Sequence, residues 1–111
     1  MGNAPGANVL VRLERLEIVT DRVWRPPDLV VEVLSPRPRI GALDARIDWF
    51  ARYGVRECWV VHLPVREVDV LRFEGGVVAG RETFEADVPI RSGVLPAFNT
   101  PLARILQNSW P

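Results

Sequence analysis

The stretch Pro27-Asp28-Leu29-Val30-Val31-Glu32-Val33-Leu34-Ser35-Pro36 decides the fold of this 111-residue chain. Residues 28–34 are aliphatic apart from two carboxylates, and prolines flank the run on both sides, which is typical of a β-strand. The apolar residues do not alternate with polar ones. The strand is therefore predicted to be buried on both faces, as in the middle of a parallel sheet.

A helix and a second buried strand follow this stretch. Apolar residues recur at helical spacing over 40–53, with Ile40, Leu43, Ile47 and Phe50 on one face. Gly54 is well placed to end the helix. Residues 57–63 (ECWVVHL) return to a strand pattern. A strand–helix–strand unit of this kind predicts two parallel strands joined by a crossover.

The remaining segments predict further strands around this unit. Residues 8–13 form a short strand, residues 67–73 alternate cleanly, and Gly75-Gly76 forms a turn into a strand near 77–84. A last strand is predicted at 87–91 and a short helix at 102–106. The fold class is mixed α/β with a central sheet, and the length predicts a single domain over 1–111.

Composition excludes several kinds of protein. The 14 basic residues are all arginine and balance 14 acidic ones, so the net charge is zero and gives no global attraction to nucleic acid. A local basic patch stays open. The absence of lysine excludes lysine chemistry, and the lone Cys58 excludes an intramolecular disulfide and cysteine-rich zinc sites. No apolar stretch approaches a membrane span and no signal peptide opens the chain, so a cytoplasmic protein without membrane contact is expected.

Glu32 is the main candidate for function. A carboxylate inside an apolar strand is costly to bury unless it is paired, hydrogen-bonded or metal-bound. One interpretation is a metal-binding or catalytic carboxylate near the carboxyl end of a sheet strand. The alternatives are an edge strand or a structural salt bridge with an arginine. Asp28 lies about 13 Å away along the strand, too far to share one ion.

Other residues carry weaker signals. His62 at a strand end is a candidate base, although partial exposure is the commoner reason for such a histidine. Cys58 is predicted to be a buried thiol. Four tryptophans, Trp24, Trp49, Trp59 and Trp110, would suit a stacking platform, but they do not fall in one stripe, so Trp49 and Trp59 are predicted to lie in the core or an interface. Five arginines surround the helix and are suited to phosphate: Arg37, Arg39, Arg46, Arg52 and Arg56. The alternative is a solvated helix face with an Asp48–Arg52 pair.

The opening stretch, the segment from Phe50 to Val61 and the tail Arg91-Ser92-Gly93-Val94-Leu95-Pro96-Ala97-Phe98 together resemble the Uma-two family of restriction-endonuclease-like proteins. The resemblance covers roughly residues 8–106. It implies the PD-(D/E)XK nuclease fold, a mixed central sheet flanked by helices. Family members usually carry a further N-terminal section, so a fold truncated at its N-terminus is expected.

The resemblance also implies a site. Glu32 matches the family's glutamate, Asn8 falls where the first aspartate is expected, and Arg46 falls where the helix lysine is expected. In the family these positions bind magnesium and activate water for cleavage of DNA. The implied catalytic residues are thus Glu32, Arg46 and Asn8, with Glu32 and Asn8 as metal ligands. Glu32 is expected to be largely buried, to point towards the helix over 40–53, and to lie near Arg46 or Asn8.

Two of these three positions depart from the family pattern. Asn8 offers an oxygen without a charge, and Arg46 binds phosphate but takes up no proton. A divergent endonuclease-like domain with weak or no activity is therefore expected. The alternatives are a non-catalytic interaction or scaffold domain, and an active nuclease that uses Asp44 or Asp48 instead. A homo-oligomer is also expected, because a truncated sheet leaves apolar surface.

Overall fold

A five-stranded mixed sheet forms the centre of the protein. The computed structural model describes residues 8–13, 26–34 and 40–109. In chain order the elements are β1 (Val9–Leu13), β2 (Leu29–Val33), α1 (Ile40–Tyr53), β3 (Glu57–His62), β4 (Glu67–Glu74), β5 (Val77–Glu85) and α2 (Leu102–Ser109), with a short 3-10 turn at Leu63–Val65. The strands lie in the order β1-β2-β3-β4-β5.

The first three strands are parallel, with β2 in the middle. Leu29 of β2 lies opposite Val9 of β1 and Glu57 of β3. The predicted strand–helix–strand unit is confirmed, and α1 has the predicted bounds. The helix ends because Gly54 takes a φ of +107°, a conformation that favours glycine.

The last two strands extend the sheet in the antiparallel sense. β4 pairs with β3 on one side and with β5 on the other. Gly75 and Gly76 both have positive φ, 61° and 81°, and they make the tight turn between β4 and β5. The mixed α/β class that the sequence predicts is confirmed.

Each face of the sheet carries its own apolar core. On one face α1 packs Leu43, Ile47 and Phe50 against side chains from β2, β3 and β4. On the other face residues 86–109, including α2, cover Trp59 and its neighbours. Since side chains alternate between the faces, the three central strands β2, β3 and β4 contribute to both cores. Glu32 belongs to the face that α1 covers, because it alternates with Val31 and Val33, which lie on the other face.

The strand predicted at 87–91 is wrong. This segment forms only an isolated bridge between Pro89 and Pro101. Proline has no N–H to donate to a strand ladder, which explains why the apolar pattern does not produce a strand here. The terminal helix, predicted to end at residue 106, runs from Leu102 to Ser109.

Candidate functional site

Glu32 lies buried beneath α1. Its side chain is fully excluded from solvent, on the face of β2 that also carries Val30 and Leu34. The prediction that this carboxylate is buried and faces the helix is confirmed. Burial of a charge is costly without a partner, so the neighbours of Glu32 decide what the site can do.

Arg46 is the partner that α1 supplies. Its Nε donates to Glu32 Oε1 at 3.1 Å, and the predicted proximity of the two residues is confirmed. The Arg46 side chain is 22 % exposed, so the pair reaches from the core towards the surface. Its Nη2 is buried and has no hydrogen-bond partner in the part of the chain that the structure describes. The site therefore combines a compensated carboxylate with an unused, charged donor.

The structure does not bring Asn8 to this pair. The backbone N–H of Asn8 donates to Asp28 Oδ2 at 2.9 Å, and its carbonyl accepts from Leu29. The residue of β1 in register with Glu32 is Arg12. Asn8 thus lies four strand positions from Glu32, about 13 Å at 3.3 Å per residue.

Cys58 lies on the same face of the sheet as Glu32. Its side chain is fully buried, which confirms the predicted core thiol. Burial raises the pKa of the Cys58 thiol well above its ordinary value, and the negative charge of Glu32 raises it further. A neutral, inaccessible thiol supplies no nucleophile, so Cys58 contributes packing to the site.

A second polar network lies on this face, at the far end of β3. His62 Nε2 lies 3.1 Å from Asp69 Oδ2, and Thr83 Oγ1 donates to Asp69 Oδ1 at 2.6 Å. His62 is partly exposed, as predicted for a histidine at a strand end. Asp69 and Glu32 both pair with Val60, from opposite sides of β3, so one strand separates this network from the Glu32–Arg46 pair.

The acidic residues proposed as substitutes lie on the outer side of α1. Asp44 is exposed, and Asp48 forms the predicted ion pair with Arg52 at 2.9 Å. Neither lies on the buried side of the helix that carries Leu43 and Ile47. Four further residues considered for function, Trp24, Arg37, Arg39 and Trp110, lie outside the described residues.

Glu57 is a buried carboxylate that sequence reasoning missed. Gly93 N donates to its Oε1 at 2.8 Å, and Trp59 Nε1 donates to its Oε2 at 2.7 Å. Ser92 Oγ also donates to Oε2. Two of these donors stand 35 and 36 residues away in the chain, so no local pattern reveals them. The bonds from Ser92 and Gly93 hold the tail against the face of the sheet opposite to Glu32.

An apolar groove of about 560 Å³ lies on that opposite face. Leu29, Val31, Trp59 and residues of α2 line it, and Val9 and Val11 of the edge strand β1 open towards it. Val9 and Val11 are 45 % and 56 % exposed.

No helix among the described residues is long and apolar enough to cross a membrane.

The described residues contain no group of three or more His, Cys, Asp or Glu side chains arranged to hold a metal ion. Restriction-endonuclease-like families generally use divalent metal ions. Within the described part of the chain, Glu32 therefore belongs to no such group, and it forms an ion pair with Arg46.

Comparison with solved structures places the fold. A protein described as a "putative nuclease belonging to DUF820" from Anabaena variabilis ATCC 29413 matches with a TM-score of 0.61 and 19 % identity. The match covers 75 % of this chain and 45 % of that protein, so this chain spans less than half the length of its structural neighbour. At this identity the likeness shows the fold alone. No curated protein matches the chain.

A family match covers most of the sequence. Residues 7–103 match the Uma2 family, which is described as "Putative restriction endonuclease". The matched segment includes all five strands, α1 and the Glu32–Arg46 pair. The chain therefore belongs to the Uma2 family and has a nuclease-like fold.

Proposed function

We propose that this chain is a divergent endonuclease-like domain that binds the phosphodiester backbone of DNA and hydrolyses it weakly or not at all. The observation that carries the proposal is the contact between Glu32 and Arg46. This contact supports the binding of DNA, because Arg46 is a cation that can bind phosphate. It also supports weak or absent hydrolysis, because Arg46 neutralises the charge of the carboxylate that would hold a metal ion.

The charge at the pair explains the expected loss of hydrolysis. Magnesium is held by hard oxygens, usually from one or two carboxylates together with waters. The guanidinium of Arg46 lies against Glu32, so a divalent cation at that carboxylate would be repelled at short range. Glu32 and Asn8, the implied metal ligands, do not fit one ion at a separation of about 13 Å. We therefore expect weak divalent affinity.

The same pair explains why binding would be retained. A guanidinium stays charged at all working pH values and binds phosphate oxygens through several N–H donors. Arg46 uses Nε for Glu32 and keeps Nη2 without a partner among the described residues. Arginine takes up no proton in this role, so its contribution is to bind and orient the phosphate.

A cleavage assay with magnesium or manganese on supercoiled plasmid tests the proposal. We expect little or no cleavage by the wild type. Calorimetry with magnesium alone should show weak binding, and Arg46→Met, which removes the positive charge beside Glu32, should strengthen it. Robust wild-type cleavage that Glu32→Ala abolishes would overturn the proposed loss of activity. Failure to bind DNA at all would favour the alternative, a non-catalytic interaction or scaffold domain.

The assignment of Asn8 has its own test, because it depends on the resemblance alone. Asn8→Asp is added in the Arg46→Lys background, and magnesium affinity is measured again. A gain in affinity supports Asn8 as the position of the first aspartate, and no gain rejects it. A homo-oligomeric assembly and a cytoplasmic location remain predictions from the sequence.

A further inference from the structure

Two aromatic side chains stack on each other on the outer side of α1. The rings of Trp49 and Tyr53 have centroids 4.6 Å apart and an interplanar angle of 25°. Trp49 also makes an edge contact with the buried Phe50, at 5.9 Å and 71°. Even so, Trp49 is 47 % exposed and Tyr53 is 37 % exposed. Neither residue belongs to the apolar core beneath α1, although the contact with Phe50 holds the Trp49 ring in place.

Arginines alternate with these aromatic residues along the chain. Arg52 follows Trp49 by three residues, and Arg56 follows Tyr53 by three. Both arginine side chains are more than 60 % exposed. Their carboxylate contacts are an exposed pair with Asp48 at 2.9 Å and a long contact with Asp28 at 3.8 Å. Exposed ion pairs contribute little to stability, so both guanidinium groups exchange these partners for phosphate at small cost.

The aromatic pair also lies in line with Arg46. Trp49 and Tyr53 are three and seven residues beyond Arg46, which places all three on one stripe of α1. At 1.5 Å per residue, Trp49 lies about 4.5 Å and Tyr53 about 10.5 Å further along the helix axis. A chain lying along this stripe would pass from the rings to the guanidinium whose Nη2 has no partner among the described residues.

We infer that the outer side of α1, together with Arg56 just beyond its C-terminus, is a binding surface for single-stranded nucleic acid. One or two bases stack on Trp49 and Tyr53, and Arg52 and Arg56 contact the neighbouring phosphates. Stacking on exposed aromatic rings beside basic side chains is how proteins bind unpaired strands, and a duplex hides the base faces that such rings need. The inference rests on the proposed function in that the bound strand would lead to Arg46.

The charge around the rings favours a nucleic acid over a second copy of the chain. In the sequence the two aromatic residues stand among charged ones, with Asp48 before Trp49 and Arg52 before Tyr53, whereas the core of an interface between identical chains is depleted in charge. The neutral net charge of the protein gives no long-range attraction, so the surface should bind weakly and depend strongly on salt.

The test measures fluorescence anisotropy of a labelled twelve-nucleotide thymidine strand at low salt without divalent ions, so that cleavage plays no part. Trp49→Ala should weaken binding at least about fivefold, the lower end for loss of one stacked base. Arg52→Gln and Arg56→Gln should each weaken it and reduce the salt dependence by about one phosphate contact. Val88→Ala, which removes an exposed apolar side chain outside α1, is the matched control and should change nothing.

Three outcomes would overturn the inference. They are unchanged affinity of Trp49→Ala, equal affinity of the wild type for a duplex of the same sequence, and self-association that Trp49→Ala abolishes. Circular dichroism checks that each variant is folded, and Trp49→Phe, which keeps an aromatic ring, should retain most of the affinity. Weaker single-strand binding by Trp49→Ala, with no binding of plasmid DNA, would support this surface and count against the proposed function. Binding of plasmid DNA, with unchanged single-strand affinity of Trp49→Ala, would support only the proposed function.

Discussion

The Glu32–Arg46 pair should be coupled in stability, and a double-mutant cycle measures the coupling. Arg46→Met keeps most of the stem of the side chain and removes its charge. Glu32→Gln keeps the shape of the side chain and removes its charge. Because Glu32 is fully buried, Arg46→Met leaves a carboxylate in the core without its guanidinium.

The expected cost follows from the burial of the two partners. Removing one partner of a buried ion pair costs about 3–5 kcal/mol. Arg46 is 22 % exposed, and Glu32 makes a further interaction, so we expect the lower end for Arg46→Met, about 3 kcal/mol. At roughly 4 °C per kcal/mol for a chain of this size, the melting temperature should fall by about 12 °C.

Glu32→Gln should cost less, since an amide oxygen still accepts from Arg46 Nε. In the Glu32→Gln background, Arg46→Met should cost at least about 1 kcal/mol less stability than it does in the wild type, because residue 32 then carries no buried charge that loses its partner. Urea unfolding of the four proteins gives the coupling free energy.

Arg52→Met is the matched control, because Arg52 pairs with Asp48 on the same helix in an exposed position. It should cost about 0.5 kcal/mol or less. Additive effects of Arg46→Met and Glu32→Gln would refute the reasoning, and so would equal costs for Arg46→Met and Arg52→Met. Either result would mean that the pair carries no more energy than a surface contact.

Two further predictions concern the core thiol and the edge of the sheet. Burial, and then the charge of Glu32, raises the pKa of Cys58 in the folded protein above its ordinary value of 9.0. As the pH rises above 9, the thiol therefore ionises in the unfolded chain and stays protonated in the folded one. The wild type should therefore lose stability relative to Cys58→Ala as the pH rises above 9, by at most about 1.4 kcal/mol per pH unit. A difference in urea midpoint between the two proteins that stays constant from pH 8 to 10 would contradict this. Val11 is 56 % exposed on edge strand β1, beside the apolar groove, so light scattering should show a dimer that Val11→Arg disrupts. A clean wild-type monomer at high concentration would refute the predicted assembly.

The elements that could be predicted are those whose burial leaves a local pattern. Helix α1 has its predicted bounds because its apolar spacing and Gly54 are both contained in fifteen consecutive residues. The run from Leu29 to Val33 is likewise recognisable as a strand packed on both faces. The strand predicted at 87–91 is wrong because Pro89 removes a ladder donor from the middle of the segment.

The candidate site could be predicted only in part, for a related reason. Glu32 stands out because a carboxylate interrupts an aliphatic run, and Arg46 lies on the helix that follows directly. The position of Asn8 depends on the register between β1 and β2, which no local pattern determines. Glu57 was missed because its burial is stabilised by Ser92 and Gly93, far along the chain.

The two buried carboxylates show why function is better sought on the helix-covered face. Glu57 accepts hydrogen bonds from three neutral donors, on Trp59, Ser92 and Gly93. These contacts account for its burial, because those from Ser92 and Gly93 attach the tail to the sheet. Glu32 is buried against a full positive charge, and that partner keeps a donor without a hydrogen bond in the described part of the chain. A purely structural pair gains stability by using every buried donor, since an unpaired one costs free energy. The unused Nη2 of Arg46 is therefore the feature that a structural role leaves unexplained.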